Sequence, residues 1–266
     1  MSKITLTPGL AKEYRQLYKS SKTKAKHFDE TDMIVSEILE DRERYEAVSA
    51  RTGVPWYLVA AIHNLESGRD FTRHLHNGDP LIARTVHVPA GRPAKGKPPF
   101  LWEESAIDAL KLRRLDKVKE WTLSRLLYEL EGYNGWGYRL YHPFVLSPYL
   151  WAGSQHYASG KYLYDGRWSD RAVSRQIGGA LLIRRMEERG EIELQETTEE
   201  PIFLYSNTCE PYAKALQEFL NSFEGITLRV DGWPGEKTSN AVQELFGFYL
   251  KGDPRQYRSH PAMPLR

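Results

Sequence analysis

The chain has 266 residues, with Lys and Arg at 37 against Asp and Glu at 35, a formal net charge of +2 and no long basic run, which argues against a nucleic-acid binder. No stretch reaches the ~18 consecutive apolar residues of a membrane span, and the opening MSKITLTPGLAKEY lacks the apolar core and cleavage site of a secretory signal. Synthesis in the cytoplasm without membrane insertion is therefore expected; the single cysteine, Cys209, excludes an intrachain disulfide, and the length allows one large domain or two unequal ones.

Helices are predicted over residues 9–20 and 32–51. In the second, Met33, Ile34, Ile38, Leu39, Tyr45 and Val48 keep a helical spacing, with Asp29 or Thr31 as the expected cap and Gly53 as the end. Pro55 begins the next helix, 55–66, which is apolar nearly all round (Trp56, Leu58, Val59, Ala60, Ala61, Ile62, Leu65) and so belongs inside the protein. Ser67-Gly68 stops it. Thr72, Leu75, Thr85, Val86 and Val88 around the Asn77-Gly78 turn predict a small short-stranded sheet over 70–89. Residues 89–99 form a loop rich in Pro, Gly and Lys, read either as a flap over a cleft or as a plain surface loop.

Helices resume at about 103–114 and 116–131, the latter ended by Gly132. An aromatic, turn-rich segment spans 141–168, and a helix over 170–188, capped by Ser169 or Asp170, closes the first domain at about residue 190. The polar stretch 191–202 reads as a linker. A compact unit follows at 203–252, with helices at 211–222 and from Thr238 or Ser239, and a tail, 253–266, expected to fray after Pro254.

The chemistry begins at Glu66. A lone carboxylate at the carboxyl end of an apolar helix has its charged form disfavoured by burial and by the helix dipole, so its pKa should rise toward the range of a general acid. Asp79, in the polar turn thirteen residues on, should stay ionised and could hold a water or stabilise positive charge. Asp70, Glu103 and Asp165 are the other carboxylates that could fill that second role.

The C-terminal unit resembles the helical peptidoglycan-binding domain of cell-wall hydrolases. The matching residues are Leu216-Gln217, Leu220, Leu228, Val230-Asp231-Gly232, Gly235, Thr238, Ala241-Val242 and Leu245-Phe246. Trp233-Pro234-Gly235 departs from the family, which usually has an aromatic followed directly by Gly-Pro. The first unit resembles the lysozyme superfamily, most closely goose-type lysozymes and lytic transglycosylases. The likeness lies in Glu66-Ser67 at the end of a buried helix, Asp79 in the region after it, and Tyr133-Asn134-Gly135 after a leucine-rich helix. It covers roughly residues 50–190, with no counterpart for 136–168.

The resemblance implies a mainly α, lysozyme-like α+β domain with a small β-subdomain, followed by the small helical wall-binding domain. The implied function is a muramidase cleaving the β-1,4 bond between N-acetylmuramic acid and N-acetylglucosamine, with Glu66 and Asp79 catalytic. Substrate-binding residues are expected at Tyr133, Asn134, Trp136, Tyr149, Trp151, His63 and His76. Trp136, Tyr149 and Trp151 are the candidates to stack on sugar faces. No metal or cofactor is expected, the partner is bacterial peptidoglycan, and the chain is expected to be a monomer. A phage endolysin, or a bacterial enzyme exported by another route, fits this design. Alternatives are a lytic transglycosylase on the same bond, a zinc amidase or peptidase using His63, Glu66 and Asp79 with His74, His76 or His87 nearby, or a non-catalytic wall-binding protein.

Overall fold

Thr7 opens the first helix, α1 (Pro8–Ser20): its side-chain oxygen accepts the Leu10 N–H, and Pro8 sits in the first turn, where a backbone donor is not needed. The computed structural model describes residues 4–164, 166–195, 203–210 and 212–257. Among these the chain is mainly helical, and it divides into two compact units, Met1–Thr197 and Thr198–Arg266. No helix among the described residues is long and apolar enough to cross a membrane.

In the first unit two helices, α2 (Phe28–Glu40) and α3 (Arg42–Thr52), replace the single helix expected over 32–51, because the backbone leaves helical geometry at Asp41. The start lies earlier than expected. His27 is the cap residue, Asp29 falls in the first turn, and Thr31 Oγ1 donates back to the His27 carbonyl at 2.6 Å. The apolar run forms α4 (Trp56–Ser67), with Pro55 at the cap position and Gly68 closing it in the left-handed conformation.

Then come α5 (Trp102–Leu112), a 3₁₀ turn at Leu115–Lys117, α6 (Leu123–Asn134), α7 (Gly137–Tyr141), α8 (Pro148–Trp151) and α9 (Gly179–Glu188). The helix expected from 116 starts later because Thr122 caps it, accepting the Arg125 N–H. It also runs past Gly132 to Asn134, with Gly135 as its cap, and Trp136 packs where a Gly132 Cβ would stand. The helix expected from 170 begins only at Gly179, without a side-chain cap. Gly178, its cap residue, lies against the Leu150 carbonyl where any Cβ would clash.

The core of this unit is built round α4. Leu58, Val59, Ala60, Ala61 and Ile62 are 0% exposed, and α3, α6 and α9 pack against the helix. Truncating Leu58 or Ile62 to Ala at such a site costs about 2–5 kcal/mol. This burial fixes the axis on which Glu66 is carried.

The expected β-region at 70–89 contains no strand, only an isolated bridge between Arg73 and Pro80. Its backbone groups are taken up locally, as in the His74 N–H to Asp79 carbonyl bond at 2.7 Å, so no ladder forms. The one sheet among the described residues is elsewhere. Strands β1 (Lys161–Tyr164) and β2 (Arg167–Ser169) pair antiparallel in the aromatic segment, with Tyr162 opposite Trp168. The 89–99 loop is tied down: Arg92 bonds Asp108 of α5, and Arg84 donates to the Gly96 carbonyl.

The second unit holds α10 (Ala213–Leu220) and α11 (Glu236–Phe246), the latter opening at Gly235 rather than at Thr238 or Ser239. Both of those residues are buried instead, and Ser239 Oγ accepts the Leu250 N–H. Gln217 is the hub of the unit. Its amide nitrogen donates to Asp231 at 2.9 Å and to the Trp233 carbonyl at 3.1 Å, while its oxygen accepts the Gly232 N–H at 2.9 Å. The Leu-Gln and Asp-Gly parts of the motif therefore specify one turn. Residues 254–257 form a short 3₁₀ turn, and the rest of the expected tail, with linker residues 196–202, lies outside the described residues.

Candidate active site

Glu66 is the next-to-last residue of α4, partly buried, at the negative end of the helix dipole. Tyr149 Oη, from α8, donates to its Oε1 at 2.8 Å. Burial raises its carboxyl pKa to about 7, against the opposing pull of the Tyr149 hydrogen bond and the charge of Arg113. Among the described residues no ion pair holds it. The result is a carboxyl that is partly protonated near neutrality and keeps a solvent-accessible part.

Two further side chains shape this end of α4. Tyr133 is buried, donates from Oη to the Leu75 carbonyl at 2.8 Å, and feels the Glu66 charge. Arg113 is exposed, lies over the Tyr133 ring and donates to the Tyr133 carbonyl at 3.0 Å. The Asn77-Gly78 turn closes the other side. Gly78 has φ +76, and a Cβ there would stand 2.8 Å from the Glu66 carbonyl oxygen, so only glycine allows this approach.

A cavity of ≈ 490 Å³ lies beside this group, walled by Arg113, Tyr128, Tyr133, Trp136, Leu140 and Tyr141. Glu66 is not in its wall; Tyr133 and Arg113 are common to the cavity and to the electrostatic surroundings of the acid. Trp136 stands in that wall, with Tyr128 4.9 Å from its ring. Asn134 is exposed at the end of α6.

Other expected site residues fall elsewhere. Trp151 is 0% exposed and Tyr149 is buried, so neither ring offers a face for sugar stacking. Trp151 fills the core, and Tyr149 serves the acid instead. His63 is buried among Tyr45, Phe71 and Trp102, with Nδ1 3.0 Å from Tyr45 Oη, and burial lowers its pKa to about 4. His76 is buried with Nε2 2.9 Å from Asp108 Oδ2. His74 lies between Ser105 Oγ at 2.7 Å and the Ala83 carbonyl at 2.8 Å. Among the described residues no three His, Cys, Asp or Glu side chains are placed to hold a metal ion.

Asp79 is buried and accepts four hydrogen bonds. Its Oδ2 accepts the N–H groups of Val86 and His87 at 2.8 and 3.0 Å and the Asn77 amide at 3.1 Å; its Oδ1 accepts His87 Nδ1 at 2.7 Å. Burial alone would raise its pKa, but the His87 side chain and these backbone donors outweigh it and hold it at about 2. Of the competitors, Asp70 pairs with Arg73, Glu103 pairs with Arg44, and Asp165 lies outside the described residues.

Sequence reasoning missed Arg113 and the Tyr149–Glu66 bond. The tyrosine is 83 positions from the acid, and no local pattern signals a contact made only by tertiary packing. Compared with protein-family models, with curated proteins and with solved structures, the chain gives no match.

Proposed function

We propose that the first unit is a muramidase with Glu66 as its general acid, and that the second unit addresses it to bacterial peptidoglycan. The observation that supports the reading is the setting of Glu66: its pKa raised to about 7 by burial, its carboxyl oriented by Tyr149, and part of it still open to solvent. Such a carboxyl can protonate the leaving oxygen of a glycosidic bond as positive charge develops on the departing sugar. The Tyr149 phenol then stabilises the carboxylate that results. Trp136 and Tyr141 in the neighbouring cavity supply aromatic faces suited to sugar rings. The wall address rests on the Gln217-centred motif, whose resemblance to peptidoglycan-binding domains supplies the substrate class.

Mass spectrometry of a sacculus digest tests the reading. Muropeptides with ordinary reducing N-acetylmuramic ends are expected. Ends in the 1,6-anhydro form would make the enzyme a lytic transglycosylase, released peptides without glycan cleavage would make it an amidase or peptidase, and binding without release would make it an inert wall binder.

A further inference from the structure

The carboxylate expected to serve beside Glu66 is turned inward, and an imidazole stands outside it. Asp79 has a side chain only 9% exposed, whereas the His87 side chain bonded to it is 79% exposed. With four donors on its two oxygens, Asp79 has little capacity left for a water. It is ionised and can only accept, so the hydrogen at 2.7 Å belongs to His87 Nδ1. That fixes the neutral ring in the tautomer whose Nε2 lone pair points away from the carboxylate.

The dyad is mounted on the acid's own helix end. Gly78, next to Asp79, packs on the Glu66 carbonyl. The far side of the loop is held by the Thr85 N–H to Arg92 carbonyl bond at 2.8 Å and by Arg92 on Asp108. Asn77 Nδ2 also donates to the His87 carbonyl at 3.1 Å, so the histidine's backbone is pinned from both directions. Val86 and Val88 on either side of it are exposed.

We propose that His87, oriented by Asp79, is the general base that activates water for the cleavage. The inference rests on the reading of Glu66 given above and moves the second catalytic role from the buried carboxylate to the imidazole it holds. In the step, a water proton passes to His87 Nε2 while the water oxygen bonds to the anomeric carbon. The glycosidic C–O bond breaks, its electron pair goes to the leaving oxygen, and that oxygen takes the Glu66 proton. Both groups then exchange with solvent and return to their starting states. A base acting through water requires inversion at the anomeric carbon and room for the water between acid and base. Asp79 is a positioning residue in this scheme.

The experiment uses the full chain on purified sacculi. His87→Asn keeps an amide N–H to donate to Asp79 but has no basic nitrogen. Its kcat is expected to fall about 10²-fold or more, with KM and thermal midpoint held, and free imidazole is expected to restore part of the activity of His87→Gly. Near-normal turnover by His87→Asn would overturn the proposal, as would a loss that follows thermal stability and resists imidazole. Anhydro products from the wild-type chain would overturn it too, since they require no water. Full activity in Glu66→Gln, or no muropeptides from the wild type, would bring down the reading of Glu66 beneath it, whatever His87→Asn does. Loss in Glu66→Gln beside full activity in His87→Asn would bring down the dyad alone.

Discussion

Glu66 and Glu131 are built from the same parts and are held by different partners. Each is a carboxylate near the end of a buried helix, each accepts a tyrosine hydroxyl, and burial pushes the pKa of both upward. Glu131 is 2% exposed and adds a guanidinium: Arg139 Nε donates at 2.9 Å to the same oxygen that takes Tyr14 Oη at 2.6 Å, and Arg139 also pairs with Glu13. Among the described residues Glu66 has no such contact; Arg113 influences it and donates to the Tyr133 carbonyl. A buried carboxylate with a cation bonded to it ties α1, α6 and α7 together. One without a bonded cation and with a face to solvent is the kind of group the proposed acid role requires. Burial and a phenol are common to both carboxylates; the bonded guanidinium is what distinguishes Glu131.

The widest separation between the two comes from removing one group at each. Glu66→Gln should lower muropeptide release by ~10²–10⁴-fold while leaving the thermal midpoint at pH 8 unchanged or higher. Arg139→Ala should do the reverse. It leaves the Glu131 carboxylate buried without its cation, at a cost of about 3–5 kcal/mol in stability, with lytic activity per folded molecule retained. If Arg139→Ala abolished lysis in protein that melts normally, the division of the two carboxylates into knot and acid would be wrong.

Stability against pH sharpens the contrast next. The folded-state pKa of Glu66 is raised from 4.5 to about 7, so between those values the folded chain holds a proton that the unfolded chain has released, and stability falls as pH rises. His63 runs the other way. Burial lowers it from 6.5 to about 4, so the unfolded chain binds a proton the folded chain refuses, and stability rises with pH across that window. Each shift corresponds to roughly 3 kcal/mol, and the windows overlap with opposite slopes. In the denaturant midpoints of the wild type these two contributions should therefore nearly cancel between pH 4.5 and 6.5. The midpoints of Glu66→Gln should climb over that range, and those of His63→Gln should decline. Parallel profiles in the two variants would contradict both assignments.

What the sequence made legible follows the range of the interactions. The apolar helix carrying Glu66 and the Gly68 stop could be read because local pattern decides them. The mainly helical character could be read for the same reason. The β-region at 70–89 misled, because Thr72, Thr85, Val86 and Val88 have strand propensity but no partner strand; side chains such as Asp79 and Thr85 satisfy that backbone instead. The sheet forms at Lys161–Ser169, where Tyr162 and Trp168 pack on Tyr138, a contact that spacing along the chain does not reveal. In the site, the Glu66 residue was visible from one helix, but its environment was not. Tyr149 and Trp151 looked alike as aromatic candidates, and only their burial separates a hydrogen-bond donor from a core filler. Asp79 looked like a solvated partner because a polar turn gives no hint that four donors will converge on it.

The smallest expected effect tests the phenols. Tyr149→Phe removes a hydrogen bond on Glu66 that favours its ionised form, so the Glu66 pKa should rise further. The basic limb of the activity profile should then move upward by roughly one pH unit, with the plateau turnover changed only a few-fold. Tyr14→Phe removes the matching bond on Glu131, where Arg139 still holds the carboxylate, and the activity profile should not move. A basic limb that stays in place for Tyr149→Phe would mean that a group other than Glu66 sets it. A shift caused by Tyr14→Phe would mean that the two carboxylates communicate, and that the cation on Glu131 does not isolate it from the chemistry.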